Sequence, residues 1–196
     1  SEHECVFGLE PVPIVRRIRE YIPSGMILDL GAGEGRNALF LAAEGFKITA
    51  VDSSKTAVEK LRKSAQEKGI KLDAAIDDIR DYIIREGYDA ILAILVFHHL
   101  SHSEVVSLVE KIKMATNDGG LNILSVITKD GDFYRSDPDT ERFYPEPEEV
   151  RNFYRDWEIV ESSRRVGKAF QKYADGSPMF NEIEEIIARK PAPITI

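Results

Sequence analysis

One stretch of twelve residues constrains the fold of this chain more than any other. An apolar run from Met26 to Leu30 leads into Gly31, Gly33 and Gly35, and a helical pattern begins at Arg36. Glycine adopts backbone conformations with positive φ, so a turn with this spacing reverses tightly and lets the backbone approach a ligand closely. The stretch therefore predicts a strand, a ligand-binding turn and a helix.

The rest of the chain alternates short apolar runs with helical patterns, which is typical of a parallel sheet with crossover helices. Further strands are predicted over Lys47–Val51, Ile70–Ile76, Tyr88–Phe97 and Leu121–Ile127, then over Trp157–Val166 and about Phe180–Ala188. Helices are predicted over Pro13–Tyr21, Arg36–Ala43, Ser54–Lys68, after Ser101 and near Pro147–Tyr154, with a turn at 117–120. A chain of 196 residues is expected to form a single domain, 1–196.

Residues 129–147 follow the fifth strand and show no steady period. A connection of this length without its own pattern favours a functional segment, so we predict a lid over a substrate. The alternative is a surface excursion whose aromatic side chains cover the end of the sheet. The aromatic and arginine residues concerned are Phe133, Tyr134, Arg135, Arg142, Phe143 and Tyr144.

Charge and composition narrow the possible partners. The net charge of -8 argues against nucleic acid, because phosphate binding depends on clustered lysine and arginine. The longest apolar run, residues 90–97, is far below the ~20 residues that a membrane helix needs, so no membrane partner is expected. Cys5 is the only cysteine and permits no internal disulfide. With no visible leader peptide, we expect a cytoplasmic protein; its oligomeric state stays open.

Acidic residues follow the second and third predicted strands. Asp52 lies at the end of the second strand, about twenty residues after the glycine turn, where an acid can accept hydrogen bonds from both hydroxyls of a ribose. Asp78 and Ile79 follow the third strand, where the acid can accept from an adenine amino group and the apolar neighbour can contact the ring. Because open α/β sheets bind ligands at the carboxyl ends of their strands, these residues together predict a nucleoside-binding site.

The glycine spacing distinguishes between a dinucleotide and a nucleoside that carries an amino-acid group. A dinucleotide fingerprint needs glycine or alanine at position 36, which is Arg36 here. Glu34 also places a carboxylate inside the turn, which is unfavourable for a pyrophosphate. An NAD-dependent oxidoreductase is therefore the less favoured alternative, and a ligand with an amino-acid group near the turn fits better.

These motifs resemble the class I S-adenosylmethionine-dependent methyltransferases, and the resemblance covers most of the chain. It implies a Rossmann-like α/β fold with seven strands in a mostly parallel sheet, helices on both faces and an antiparallel last strand. It also implies S-adenosylmethionine as the cofactor and a small molecule as the methyl acceptor. The residues expected to bind the cofactor are Asp29, Gly31, Ala32, Gly33, Arg36, Asp52, Ser53, Asp78, Ile79 and Leu95.

The segments 29–37 and 156–158, and the closing pattern at Gly167, 175–176 and 188–190, resemble the tellurite-resistance methyltransferase family more closely. That family methylates oxyanions of tellurium and selenium. Where its members carry a His-Arg pair, this chain has Phe170 and Gln171, and a further family arginine falls on Pro178. The resemblance therefore implies the cofactor but leaves the acceptor open between a chalcogen oxyanion and a thiol, with a non-catalytic binding module as the alternative.

Three histidines, His98, His99 and His102, follow the fourth predicted strand. His99 is the candidate general base, because imidazole titrates near neutral pH. Alternatively, His98 packs inward while Ser101 and His102 cap and flank the next helix. A nucleophile that is already ionised, or a lone pair on selenium or tellurium, needs no base. No metal site is predicted, since the histidines have no clustered cysteine or acidic partners.

Overall fold

The computed structural model describes residues 8, 10–84, 87–136, 138 and 141–193. Seven strands form one sheet in the order β3-β2-β1-β4-β5-β7-β6. Neighbours among β1 to β5 pair in parallel, whereas β7 runs antiparallel to both β5 and β6. The predicted Rossmann-like sheet with an antiparallel last strand is confirmed. The strands are β1 Met26–Leu30, β2 Lys47–Asp52, β3 Asp73–Ile76, β4 Tyr88–Ile94, β5 Thr116–Ile127, β6 Glu158–Lys172 and β7 Pro178–Arg189.

Helices cover both faces of this sheet, and each face buries its own apolar cluster. The helix after β4 shows the pattern, since its buried Val105, Leu108, Val109 and Ile112 recur at helical spacing. No helix in the described ranges is long and apolar enough to cross a membrane. The helices are α1 Pro13–Arg16, α2 Ile18–Tyr21, α3 Arg36–Ala43, α4 Lys55–Glu67, α5 His102–Ala115, α6 Asp132–Ser136 and α7 Glu149–Asn152.

The N-terminal helix differs from its prediction, because it divides into α1 and α2 at Arg17. The Arg17 guanidinium pairs with Glu161 on β6 at 2.6 Å, so this junction is tied to the far edge of the sheet. Asn37, in the first turn of α3, accepts a hydrogen bond through its Oδ1 from the Val12 N–H at 3.1 Å. This contact fixes the start of α1 against α3.

Four strands differ from their predicted bounds by three residues or more. β3 begins at Asp73 rather than Ile70, and β6 continues to Lys172 rather than ending at Val166. β4 stops at Ile94 because Leu95 takes a left-handed conformation with φ of 55°, and a 3-10 turn follows at residues 97–99. β5 begins five residues early. Its Thr116 pairs with Tyr88 and its Leu121 with Ala90, so the predicted turn at 117–120 forms a bulge within the strand.

A group of glutamates such as that at 182–185 is typical of a solvated strand face, but two of them are buried in β7. Glu184 and Glu185 are only 3% and 4% exposed. Arg164 and Arg165 of β6 pair with them at 3.2 Å and 2.9 Å respectively. β7 is an interior strand, so its charges are buried and require partners from β6.

Candidate active site

The glycine turn lies at the carboxyl end of β1 and is tied to β2. Gly31, Gly33 and Gly35 have φ of +71°, +57° and +85°. The Gly31 and Ala32 N–H groups donate to the Val51 carbonyl oxygen at 2.8 Å and 3.0 Å. All three glycines thus occupy the left-handed region that the sequence predicted, in a turn held by backbone hydrogen bonds.

The three glycines face different surroundings. A Cβ on Gly31 would lie 2.6 Å from the Val96 side chain, and one on Gly35 would lie 2.1 Å from Leu61. A Cβ on Gly33 would meet no atom within 4 Å. Gly31 and Gly35 are therefore required by protein packing, whereas Gly33 exposes its backbone to the space where a ligand would lie.

Asp52 links this turn to the next helix. One carboxylate oxygen accepts the Gly33 N–H at 2.8 Å, and the other accepts the Ser54 N–H at 2.8 Å. Ser53 is exposed beside it, and Ser54 caps α4. Each Asp52 oxygen keeps a second lone pair, so the carboxylate can hold the turn and also accept hydrogen bonds from a ligand.

Asp29 lies behind the turn, 1% exposed, and its Oδ2 has no hydrogen-bond partner among the described residues. Burial, and secondarily the charge of Asp52, raises the pKa of Asp29 to about 7, although Arg36 opposes the shift. Burial lowers the pKa of the half-buried Arg36. The negative charge of Asp29 raises this pKa, and the positive charge of Arg165 lowers it. Behind the turn the chain therefore holds a carboxyl group that titrates near neutral pH.

The two residues expected at the adenine differ in their surroundings. Arg80 binds the Asp78 carboxylate through its Nε at 2.9 Å and lowers the pKa of Asp78 to about 2. Ile79 is 7% exposed and packs in the core, whereas Ile76 at the end of β3 is 44% exposed. Ile76 is the more accessible apolar side chain here. The sequence could have indicated Ile76 for this role, because it is the last residue of β3.

Leu95, one of the residues expected to bind the cofactor, forms the turn after β4. Its N–H donates to the Ser125 carbonyl oxygen at 2.7 Å, which stabilises the left-handed turn. The next residue, Val96, packs against Gly31. The end of β4 thus lies directly beside the glycine turn.

The rings of His98 and His99 are in contact, with centroids 4.0 Å apart and planes tilted by 41°. His98 packs inward, as the alternative proposed, and burial lowers its pKa to about 3, with further lowering by His99 and Arg142. His99 is exposed as a residue, but the atoms around its ring partly desolvate the imidazole, which lowers its pKa. The positive charge of Arg142 lowers this pKa further, whereas the negative charge of Asp52 raises it. Protonation is therefore disfavoured at both imidazoles, most strongly at the buried His98.

The other residues of this loop have structural partners. Ser101 forms a capping box with Glu104 at the start of α5. His102 contacts Glu149 at 2.6 Å, which joins α5 to α7. Within the described residues, no group of three His, Cys, Asp or Glu side chains is arranged to hold a metal.

The segment after β5 is attached to the sheet at several points. The Phe133 N–H donates to Asn181 Oδ1 at 2.9 Å, and Asp132 accepts the Phe180 N–H at 2.7 Å, so α6 is fixed to β7. Phe143 and Tyr144 are 2% and 8% exposed. Phe143 packs in the core and Tyr144 is buried, whereas α6 lies against β7; the lid over residues 129–147 stays a prediction.

Sequence reasoning missed a second layer of charge near the site. Arg165 and Glu185 pair across β6 and β7, Ser125 lies 3.4 Å from Glu185, and the charge of Arg165 acts on Arg36. The one sign of this pair in the sequence is that glutamates interrupt the apolar pattern of β7. Phe170, where the family has histidine, is 66% exposed on the protruding end of β6.

Solved structures show the fold class. The crystal structure of TehB from Haemophilus influenzae matches with a TM-score of 0.81 and 27% identity over 90% of this chain and 61% of that chain. Coclaurine N-methyltransferase bound to N-methylheliamine and S-adenosylhomocysteine matches with a TM-score of 0.71 and 17% identity, which shows the fold alone. The architecture is that of the class I methyltransferases.

Within that class, the model of the family "Tellurite resistance protein TehB" matches residues 14–182, and the chain belongs to this family. The Haemophilus influenzae protein described as probable S-adenosyl-L-methionine-dependent methyltransferase TehB is 29% identical over 84% of this chain. Hemagglutinin 1 of Eikenella corrodens is 32% identical over 84%. The chain spans only 57% and 54% of these two proteins.

Proposed function

We propose that this chain is an S-adenosylmethionine-dependent methyltransferase that acts on a small molecule. The observation that carries the proposal is the glycine turn, in which the Gly33 N–H is held by Asp52 at 2.8 Å while the Gly33 Cα faces open space. Membership of the TehB family supports it.

The site residues then have distinct roles. When bound, the cofactor supplies a methyl group already activated by its sulfonium. Asp52 accepts hydrogen bonds from the ribose hydroxyls, Gly33 lets the backbone approach the methionine end, and the end of β3 borders the adenine. The Leu95 turn shapes the wall beside the methyl group. The chain's contribution is in-line placement away from water, which lowers a barrier by up to ~7–11 kcal/mol in favourable cases.

The methyl acceptor is a nucleophile that reacts without a general base to remove a proton from it. Both imidazoles beside the site have lowered pKa values, so His99 is a weak base for a hydroxyl or amine. A chalcogen oxyanion with a lone pair, or a thiolate, reacts without a base, and both agree with the cytoplasm as the expected compartment.

The test measures S-adenosylhomocysteine released from S-adenosylmethionine in the presence of selenite, tellurite or a small thiol. We expect release to depend on one of these acceptors and to stop when the acceptor is omitted. If S-adenosylmethionine binds but no acceptor in the panel promotes release, the non-catalytic binding module is favoured. Phe170 and Gln171, which replace the family's His-Arg pair, are the observation that keeps this second candidate open.

A further inference from the structure

One surface beside the end of β4 combines three flat rings with one cation. It consists of His98, His99, Phe133 and Arg142, and is called the acceptor face below. The His98 ring centroid lies 4.0 Å from that of His99 and 6.1 Å from that of Phe133. His99 and Arg142 are exposed and Phe133 is half-buried, so a ligand can reach these three residues while His98 forms the floor.

Arg142 is held at this surface by its backbone. It forms an antiparallel bridge with Ser101, and the neighbouring Phe143 N–H donates to the Leu100 carbonyl oxygen at 2.8 Å. The charge of Arg142 lowers the pKa of both His98 and His99. The face therefore carries the positive charge of Arg142 beside two imidazole rings whose protonated forms are disfavoured.

The acceptor face adjoins the proposed cofactor site. His99 experiences the negative charge of Asp52 as well as the positive charge of Arg142. Asp52 in turn holds the Gly33 N–H of the glycine turn. His99 is thus close enough to feel both the carboxylate expected at the ribose and the guanidinium of the acceptor face.

His98 has one further property that points to a ligand. Its Nδ1 is buried and has no hydrogen-bond partner among the described residues. A buried polar atom without a partner is costly, and a polar ligand atom that reaches it recovers part of that cost. The Phe133 ring of α6 lies next to the same imidazole.

We propose, resting on the methyltransferase function above, that the acceptor face binds a planar aromatic thiolate as the methyl acceptor. The rings of His99 and Phe133 contact the flat surface of the acceptor, and Arg142 attracts its charged sulfur. An anionic nucleophile fits this surface because the Arg142 guanidinium attracts it and an ionised sulfur needs no base.

The reaction balances without another reagent. The thiol loses its proton to solvent before it binds, so the acceptor arrives as a thiolate. A lone pair on its sulfur forms the new bond to the methyl carbon while the bond from that carbon to the sulfonium breaks. The negative and positive charges cancel, which leaves an aryl methyl thioether and neutral S-adenosylhomocysteine.

The test is calorimetry on the full chain saturated with S-adenosylhomocysteine, with thiophenol and cyclohexanethiol as probes at pH 8. Thiophenol is flat and ionised at this pH, whereas cyclohexanethiol is neither. We expect thiophenol to bind about tenfold more tightly, because ring contact and charge pairing each add affinity. Arg142→Met and Phe133→Leu should each weaken thiophenol binding about fivefold or more.

Arg135→Met is the matched control, because Arg135 is an exposed arginine of α6 that pairs with Asp130 at 3.0 Å. It should leave thiophenol affinity unchanged, and all three variants should keep wild-type affinity for S-adenosylhomocysteine. Equal binding of the two thiols, or wild-type thiophenol affinity in Arg142→Met, would overturn the acceptor proposal alone. If S-adenosylhomocysteine does not bind the wild-type chain, the methyltransferase function fails, and the acceptor proposal fails with it.

Discussion

Replacing Gly33 by valine should abolish S-adenosylmethionine binding and leave the chain folded. The Gly33 Cβ would project into space free of protein atoms, where the cofactor is expected. If the valine side chain overpacks against the bound cofactor at a cost of about 3 kcal/mol, the affinity falls roughly 100-fold. The φ of +57° strains a valine by about 1–3 kcal/mol, so the melting temperature should fall by about 2–12 °C while the chain stays folded.

Gly69→Val is the control for that strain. Gly69 has φ of +65°, its Cβ would also meet nothing within 4 Å, and it follows α4 at the end away from the site. Calorimetry and thermal unfolding should show the same stability loss in both variants, but lost binding only in Gly33→Val. Normal cofactor affinity in Gly33→Val would remove the glycine turn from the binding site.

Asp29→Asn should raise the stability of the chain most strongly at alkaline pH. The pKa of Asp29 is raised from 3.8 to about 7 in the folded state. Between about pH 4 and pH 7 the folded chain therefore keeps a proton on Asp29 that the unfolded chain has released. Ionisation of Asp29 thus destabilises the folded state progressively from about pH 4 to pH 7, and fully above pH 7. A shift of this size corresponds to about 4 kcal/mol as an upper value.

Thermal unfolding of wild type and Asp29→Asn at pH 5 and pH 8 measures this effect. We expect the variant to melt roughly 5–10 °C above wild type at pH 8, since about 2–4 °C accompanies each kcal/mol in a domain of this size. The difference should shrink at pH 5, where much of the Asp29 carboxyl is protonated in the folded chain. An equal difference at both pH values would show that the buried acid does not titrate as described.

The sequence predicted some elements to the residue and missed others for a physical reason. β1 and α3 have their predicted bounds because strong breakers flank them, Ser24 and Gly25 before the strand and Gly45 after the helix. Leu95 was placed inside a strand, because leucine rarely adopts the left-handed conformation. That conformation depends on tertiary contacts around the end of β4.

The predicted site shows the same division. The glycine turn and Asp52 are neighbours because both follow parallel strands, and parallel strands end at one edge of a sheet. The pair of Arg165 and Glu185 was not predictable, because it depends on the register between β6 and β7. A pattern within one strand does not contain that register.

Calorimetry of the wild-type chain with four ligands tests the central claim most directly. The ligands are S-adenosylmethionine, S-adenosylhomocysteine, NAD and NADP. We predict that the two adenosyl sulfur compounds each bind at one site and that the dinucleotides do not, because Arg36 stands where their fingerprint requires glycine or alanine. Preferential binding of NAD or NADP, or no binding of either adenosyl compound, would contradict the methyltransferase account.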